Sequence, residues 1–351
     1  MEHYAKRETD GLFEGLEKPF LIAEIGSNHL NDLEIAKESI EIAADLGADA
    51  VKFQALNVSE QYHNPDEETR AFHKTIDLAE SWYPELAQYA SKAGIKFSAS
   101  PTHHKILDEV LISCCDFIKV ASAQVATAPY LLRKIGEYRV PTIISTGMVT
   151  ADDLSRSIKI FEACGDTENL AILHCNARYP CPITETQLAL ISNYRRKFNL
   201  PVGFSDHTTT ETAAIIAIAL GAKIIEKHFK MNDRISSPDS DVSITPKAFA
   251  NFRQRINETF QATVAINRNE LHPVEKDFKT KFTNYAIARK QLAAGEFLKS
   301  ENLVFKRVIQ DEIDTAKFLT EWDVFESNGS LVTTSQISAD QLVSRADTKK
   351  L

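Results

Sequence analysis

Two short stretches of the chain end alike. PVGFSDHT (201–208) and KIIEKHF (223–229) are apolar runs that stop at a histidine close to a carboxylate. Asp206 precedes His207, and Glu226 stands two residues before His228. Two imidazoles with carboxylates nearby are a donor set that suits a divalent metal. Other apolar runs also end in polar groups. Glu24 closes FLIAE; Lys52 and Gln54 close DAVKFQ; Ser100 closes IKFSAS. Lys119 and Ser122 lie in DFIKVAS, Ser145 and Thr146 in PTIISTG, and His174 in LAILHC, with Tyr179 just beyond. Asn28 and His29, Gln124, Ser205 and Lys227 complete the series. Two lysines among short hydroxyls match a phosphate, offering point charges and small donors. Each residue alone has a plainer explanation. A strand-end lysine can form a surface ion pair, a serine in STG can cap a helix, and a histidine beside Asp can be hydrogen-bonded to it. Gathered in one place they would need a ligand, because converging buried polar groups must be satisfied.

What gathers them is a repeated unit. From residue 19 onward an apolar strand is followed by an amphipathic helix, beginning with FLIAEIG and DLEIAKESIEIAADLG. The helical stretches carry apolar residues at i, i+3 and i+4, as elements packed on one side do. The strands are nearly continuous apolar runs, which fits strands covered on both faces. Gly47, Gly94, Gly165 and Gly221 each stand just before the next strand, where helices end. About eight units over roughly 250 residues predict an α/β fold of the (β/α)8 barrel type, whose active site lies at the C-terminal strand ends. The alternative is a doubly wound open sheet, which more often has a glycine-rich phosphate loop after its first strand; AEIGSNH is not GxGxxG.

The rest of the chain sets bounds. It has 351 residues, a formal net charge of −9, 43% hydrophobic and 25% charged residues. That balance is globular and argues against a nucleic-acid or anionic-membrane surface. Five cysteines, two of them adjacent at Cys114 and Cys115, make no disulfide framework or CxxC zinc site. With no apolar signal core or membrane-length run, the expected location is cytoplasmic. Residues 55–80 and 230–244 read as long polar connections, and so as binding loops or lids. The pattern changes after about residue 265: 1–264 is the barrel, 265–280 a linker and 281–351 a small β-rich domain, with FTNYAIARKQLAAGEFLKSENLVFKRV read as short strands about the turn AAGE.

AEIGSNH, GADAVKFQ, ISTGM, LHC with YP, GFSDHT and EKHF follow one another in this order. Together they resemble the sialic acid synthase family, strongly over 18–245 and more weakly over 281–310, which is similar to that family's antifreeze-like (SAF) domain. The resemblance implies condensation of phosphoenolpyruvate with an N-acetylated aminosugar and water, giving a nonulosonic acid and phosphate. It implies that His207 and His228 hold a Mn²⁺- or Mg²⁺-type ion. It implies that Lys52, Ser100, Lys119, Ser122, Ser145 and Ser205 hold the phosphate and carboxylate of phosphoenolpyruvate. Glu24 would stand near the sugar's reacting end, with Gln54, Tyr179 and Asp239 as further substrate contacts. Arg307 would reach the partner's site in a domain-swapped homodimer. The sequence departs from the family pattern at Gln124, usually Glu, and at Ala177, often Asn; Ser237 and Ser240 alter the loop SSPDSD, and FSASPT replaces FSTPF. These changes fall around the acceptor sugar, and imply either an altered acceptor, legionaminate-like, pseudaminate-like or another, or neutral drift in an ordinary member of the family. Two other classes remain open: a non-catalytic sugar- or phosphate-binding paralogue, and a barrel aldolase using Lys119 or Lys227 as a Schiff base.

Overall fold

The computed structural model describes residues 11–264, 268–309 and 314–351. The chain separates into two compact units, 1–264 and 265–351.

In the first unit eight parallel strands close into a barrel in sequence order. They are β1 (Phe20–Glu24), β2 (Ala50–Ala55), β3 (Lys96–Pro101), β4 (Phe117–Val120), β5 (Thr142–Ser145), β6 (Leu170–Cys175), β7 (Val202–Asp206) and β8 (Ile224–His228). Closure comes from β1 pairing with β8, with Glu24 beside His228 in register. The predicted (β/α)8 barrel is therefore the observed fold.

Side chains alternate across each strand, and this divides the core in two. Leu21, Ala23, Val51, Phe53, Phe204 and Ile225 face outward and pack under the helices. Phe20, Ile22, Ala50, Phe117, Ile143, Ala171, Leu173 and Ile224 fill the interior with Phe13 from the N-terminal segment. Phe13 meets Phe20 and Phe117 edge-on, with ring centroids 5.9 and 5.6 Å away, so three aromatics close the lower end. At Gly203 the interior is full: a Cβ there would lie 2.2 Å from the Ile224 carbonyl and 2.5 Å from Leu173.

The helices start where the side chains allow it. Asp32 caps 33–45 by accepting from the Glu34 and Ile35 amides, and Thr150 with Asp153 forms a reciprocal cap on 151–164. The same chemistry corrects one expectation. The connection 55–80 is not a plain loop but carries helices Val58–Gln61 and Glu67–Ile76, capped by Asn57 and Asp66.

The second unit pairs β9 (Tyr285–Ala288) with β10 (Leu303–Lys306) and β11 (Leu331–Thr333) with β12 (Thr348–Lys350), both antiparallel. Ala286, Leu292, Leu298, Leu303, Ile337 and Val343 make its small core. Part of the stretch read as a linker is helical, over Pro273–Phe282. Among the described residues no helix is long and apolar enough to cross a membrane.

Candidate active site

A cavity of 310 Å³ opens at the C-terminal ends of the barrel strands. Its lining is what the interior parity of the strands delivers: Glu24, Lys52, Gln54, Ser100, Lys119, Ser145, Cys175, Ser205, His207, Glu226 and His228. Ser122 and Gln124 join from the short helix Ser122–Thr127 after β4, and Ala177 and Tyr179 from the loop after β6. Of the thirteen residues expected to bind or react, eleven line this cavity.

Charge is concentrated at its base. Lys52 Nζ is 2.8 Å from Glu24 Oε2 and 3.1 Å from Ser100 Oγ, and 3.8 Å from Glu226. Lys119 Nζ is 3.4 Å from Glu226 Oε1, which also accepts from Ser205 Oγ at 2.7 Å. Strand register creates these meetings, since Glu24 pairs with Lys52 and Ser205 with Glu226. Glu226 thus links both lysines. Sequence reasoning placed it at a strand end without giving it a role; its inward parity with His228 was the available signal.

The two glutamates differ in protonation. Burial and the neighbouring Glu226 carboxylate push Glu24 up to about 7, although Lys52 opposes this. Glu226 is also buried, but Lys119 and Lys52 together hold it at about 2. Lys119 is lowered by burial, with Lys52 adding to the effect. The base therefore has Lys52 held as a cation, Lys119 with its charge disfavoured by burial, one fixed anion and one carboxyl that exchanges its proton near neutrality. Gln54 donates to Glu24 at 3.3 Å. Ser145 Oγ is buried and has no hydrogen-bond partner, an exception of the kind that a ligand removes.

His207 and His228 lie side by side, ring centroids 5.4 Å apart. Burial holds both at about 4, so both are neutral at pH 7. The Nδ1 of His207 is 2.8 Å from the Asn176 carbonyl, which can only accept; the proton is therefore on Nδ1 and the Nε2 lone pair is free. His228 Nδ1 is buried without a partner. Two neutral imidazoles with uncommitted nitrogens fit a divalent ion that takes its remaining ligands from water or substrate. Among the described residues no cluster of three or more His, Cys, Asp or Glu is placed to hold a metal. The Tyr179 ring lies 4.0 Å from that of His207 and covers it.

Asp239 is not part of the lining. It accepts from the Ser27 amide at 2.8 Å and the Ser27 hydroxyl at 2.7 Å, and its charge bears on His228 from behind. Gly26, at φ +52°, leaves the space it occupies: a Cβ there would lie 2.4 Å from Asp239 Oδ2. Arg307 belongs to the second unit, with its guanidinium 4.4 Å from the Phe282 ring centroid. Several strand-end residues point the other way. His174 stacks on Phe204 and bonds to the Thr186 carbonyl. His29 accepts from the Asn31 amide. Lys227 pairs with Asp206 at 3.3 Å and donates to the carbonyls of Asp206 and Thr208, outside the barrel.

The sequence model of the NeuB family matches residues 39–267. A pseudaminic acid synthase of Campylobacter jejuni is 33% identical over 309 residues, 84% of this chain and 88% of that protein. The N-acetylneuraminate-9-phosphate synthase of Homo sapiens is 28% identical over 300 residues, 82% of each. Among solved structures, the N-acetylneuraminic acid (sialic acid) synthetase of Leptospira borgpetersenii superposes with a TM-score of 0.70 at 27% identity, covering 76% of this chain and 93% of that one. A barrel of this architecture, with this cluster at its mouth and this extent of similarity, makes the chain a member of the NeuB family.

Proposed function

We propose that the chain condenses phosphoenolpyruvate with an N-acetylated aminosugar and water, releasing a nonulosonic acid and phosphate. The observation that carries this reading is the paired-lysine base of the cavity, where Lys52 and Lys119 stand among serine hydroxyls and one hydroxyl has no partner. In this reading Lys52, Lys119, Ser100, Ser122, Ser145 and Ser205 hold the phosphate and carboxylate of phosphoenolpyruvate. Binding of that anion stabilises Lys119 in its charged form, against the burial that lowers it. His207 and His228 would hold a divalent ion, which when bound supplies Lewis-acid polarisation of the sugar aldehyde. Tyr179 keeps the His207 ring in place. The methylene carbon of phosphoenolpyruvate forms the new bond to the aldehyde carbon. Water then adds to the former enol carbon, and phosphate leaves as the tetrahedral intermediate collapses. Glu24, poised near 7, takes or returns a proton at this centre, and Gln54 orients it. The lysines and hydroxyls stabilise charge as it grows on the departing phosphate.

The test is phosphate release from phosphoenolpyruvate across a panel of N-acetylated hexosamines, each with Mn²⁺ and with EDTA. Release that needs both a sugar and the ion is the expected result. Silence across the panel, with no calorimetric binding of phosphoenolpyruvate, would remove the proposal. One observation favours a second reading: Lys119 is a cavity lysine with a lowered pKa, as a Schiff-base aldolase would need. Borohydride trapping with substrate, indifferent to EDTA, would select that reading. The proposal also makes the active form a homodimer completed by Arg307 of the other copy, and sedimentation velocity tests the oligomeric state.

A further inference from the structure

The connection after β8 is tied to the connection after β1 by a closed ring of hydrogen bonds. The Asp239 amide donates to Ser237 Oγ at 3.3 Å, and Ser237 Oγ donates to Asn28 Oδ1 at 2.7 Å. Asn28 Nδ2 donates to Ser243 Oγ at 2.8 Å, and Ser243 Oγ donates back to the Asp239 carbonyl at 2.6 Å. Both backbone groups of Asp239 are thus held. Asn28 is buried, and its amide also reaches the carbonyl of Phe229, the residue after His228. The Asp239 carboxylate is fixed as well, since Oδ2 accepts from the Ser27 amide and hydroxyl.

This half-buried carboxylate does not line the cavity. It meets His228 instead, over Gly26. A Cβ at Gly26 would lie 2.4 Å from Asp239 Oδ2 and 3.3 Å from His228 Cε1, the carbon between the two ring nitrogens. Burial disfavours charge on His228, and Asp239 is the foremost charge opposing that effect. An anion behind a neutral imidazole stabilises the positive charge that the ring takes on when it gives a lone pair to a cation. A setting partly withdrawn from water strengthens that attraction.

We infer that Asp239 is a positioning residue for His228, held by the ring through Asn28, Ser237 and Ser243, and that it sets how tightly the site holds its ion rather than how it binds a sugar. The inference rests on the proposed assignment of the ion to His207 and His228. It also gives Ser237, one of the departures from the family pattern, a task, because its hydroxyl is a link of the ring.

The experiment measures the Mn²⁺ affinity of the full chain by electron paramagnetic resonance of the free ion. Neither substrate is present, so the result does not depend on the reaction. His228→Ala should abolish the binding. Asp239→Asn should weaken it by about 10- to 100-fold, the scale of losing an outer partner of a ligating histidine. Ser237→Ala keeps every charge and should weaken it by about 3- to 10-fold, the scale of one hydrogen bond. Wild-type affinity in both of these variants, with His228→Ala silent, overturns the inference and leaves the ion on the histidines. Wild-type affinity in Asp239→Asn with a raised KM for the sugar also overturns it, and makes Asp239 a sugar contact. If thermal melts show that Asp239→Asn does not fold, Ser237→Ala decides alone. No binding by the wild type, or equal binding by His228→Ala, removes the histidine assignment and the inference with it.

Discussion

The buried lysines at the strand ends are of two kinds and do different work. Lys52 and Lys119 face the barrel interior, where Glu24 and Glu226 pair with them across an open cavity. Lys227 faces outward, and Asp206 with two backbone carbonyls surrounds its ammonium group. In each case the charge is matched, so burial and pairing alone do not mark a functional lysine. What differs is whether room is left beside the pair. The inner lysines have an unpartnered hydroxyl and 310 Å³ of space in their cavity. The donors of Lys227 are occupied by Asp206 at the end of β7 and by the Thr208 carbonyl just beyond it, and they brace the carbonyls on either side of His207.

This contrast can be broken most directly by removing charge on each side. Lys52→Met or Lys119→Met should lower phosphate release by about 1,000-fold, the scale of losing one charge-stabilising donor, while the protein stays folded. Lys227→Met should leave Asp206 buried and unpaired, costing about 3–5 kcal/mol of unfolding free energy in urea titrations. Loss of activity at full stability in Lys227→Met would reverse the comparison.

Acid should expose the histidines next. His29, His207 and His228 are held at about 4 by burial, against 6.5 when unfolded. Because the folded value is depressed, the unfolded chain binds these protons first. The contribution is complete above about 6.5 and is lost as pH falls toward 4, by as much as about 3 kcal/mol for each residue. Thermal melts should therefore fall steeply over that window. Mn²⁺ should raise the melting temperature at pH 7.5 and have no effect at pH 4. His207→Ala or His228→Ala should remove that rise; an unchanged rise would place the ion elsewhere.

Glu24→Gln sharpens the distinction between the two glutamates. With Glu24 at about 7 and Glu226 at about 2, only Glu24 titrates near neutrality. The variant should lose the limb of the kcat profile near pH 7 and retain about 1% of the rate. The smallest effect belongs to Ser145→Ala, which removes a hydroxyl that is unpaired without ligand. Its KM for phosphoenolpyruvate should rise about 5- to 10-fold, with melting temperature unchanged.

The barrel was legible because its strands and helices carry different apolar periods, and those depend only on near neighbours in the chain. The residues of the site were legible as strand ends. Their grouping was less so, because residues of both strand faces were collected together. His174, Asp206 and Lys227 are one position from Cys175, His207 and Glu226, yet they turn toward the helices. Applying the two-residue alternation from Ile224 through Glu226 to His228 would have separated the two sets and brought Glu226 forward. Asp239 was harder, since its place behind His228 depends on a loop 212 residues away from Ser27 in the chain. Phe13 was not legible either: its contact with Phe117 exists only after the barrel closes. The helices within 55–80 had visible caps in Asn57 and Asp66, which the polarity of the stretch obscured.

The three aromatic rings beneath the barrel also bear on the timing of a catalytic cycle. With Phe13, Phe20 and Phe117 filling the lower end, the cavity among the described residues lies at the C-terminal strand ends, above them. Under the proposed assignment the anion lies at the bottom and the sugar above it. Traffic through that end must then be last in, first out: phosphoenolpyruvate enters before the sugar, and the sugar acid departs before phosphate. Steady-state kinetics should be compulsory-ordered, with phosphate competing against phosphoenolpyruvate and sugar in excess trapping whatever lies below it.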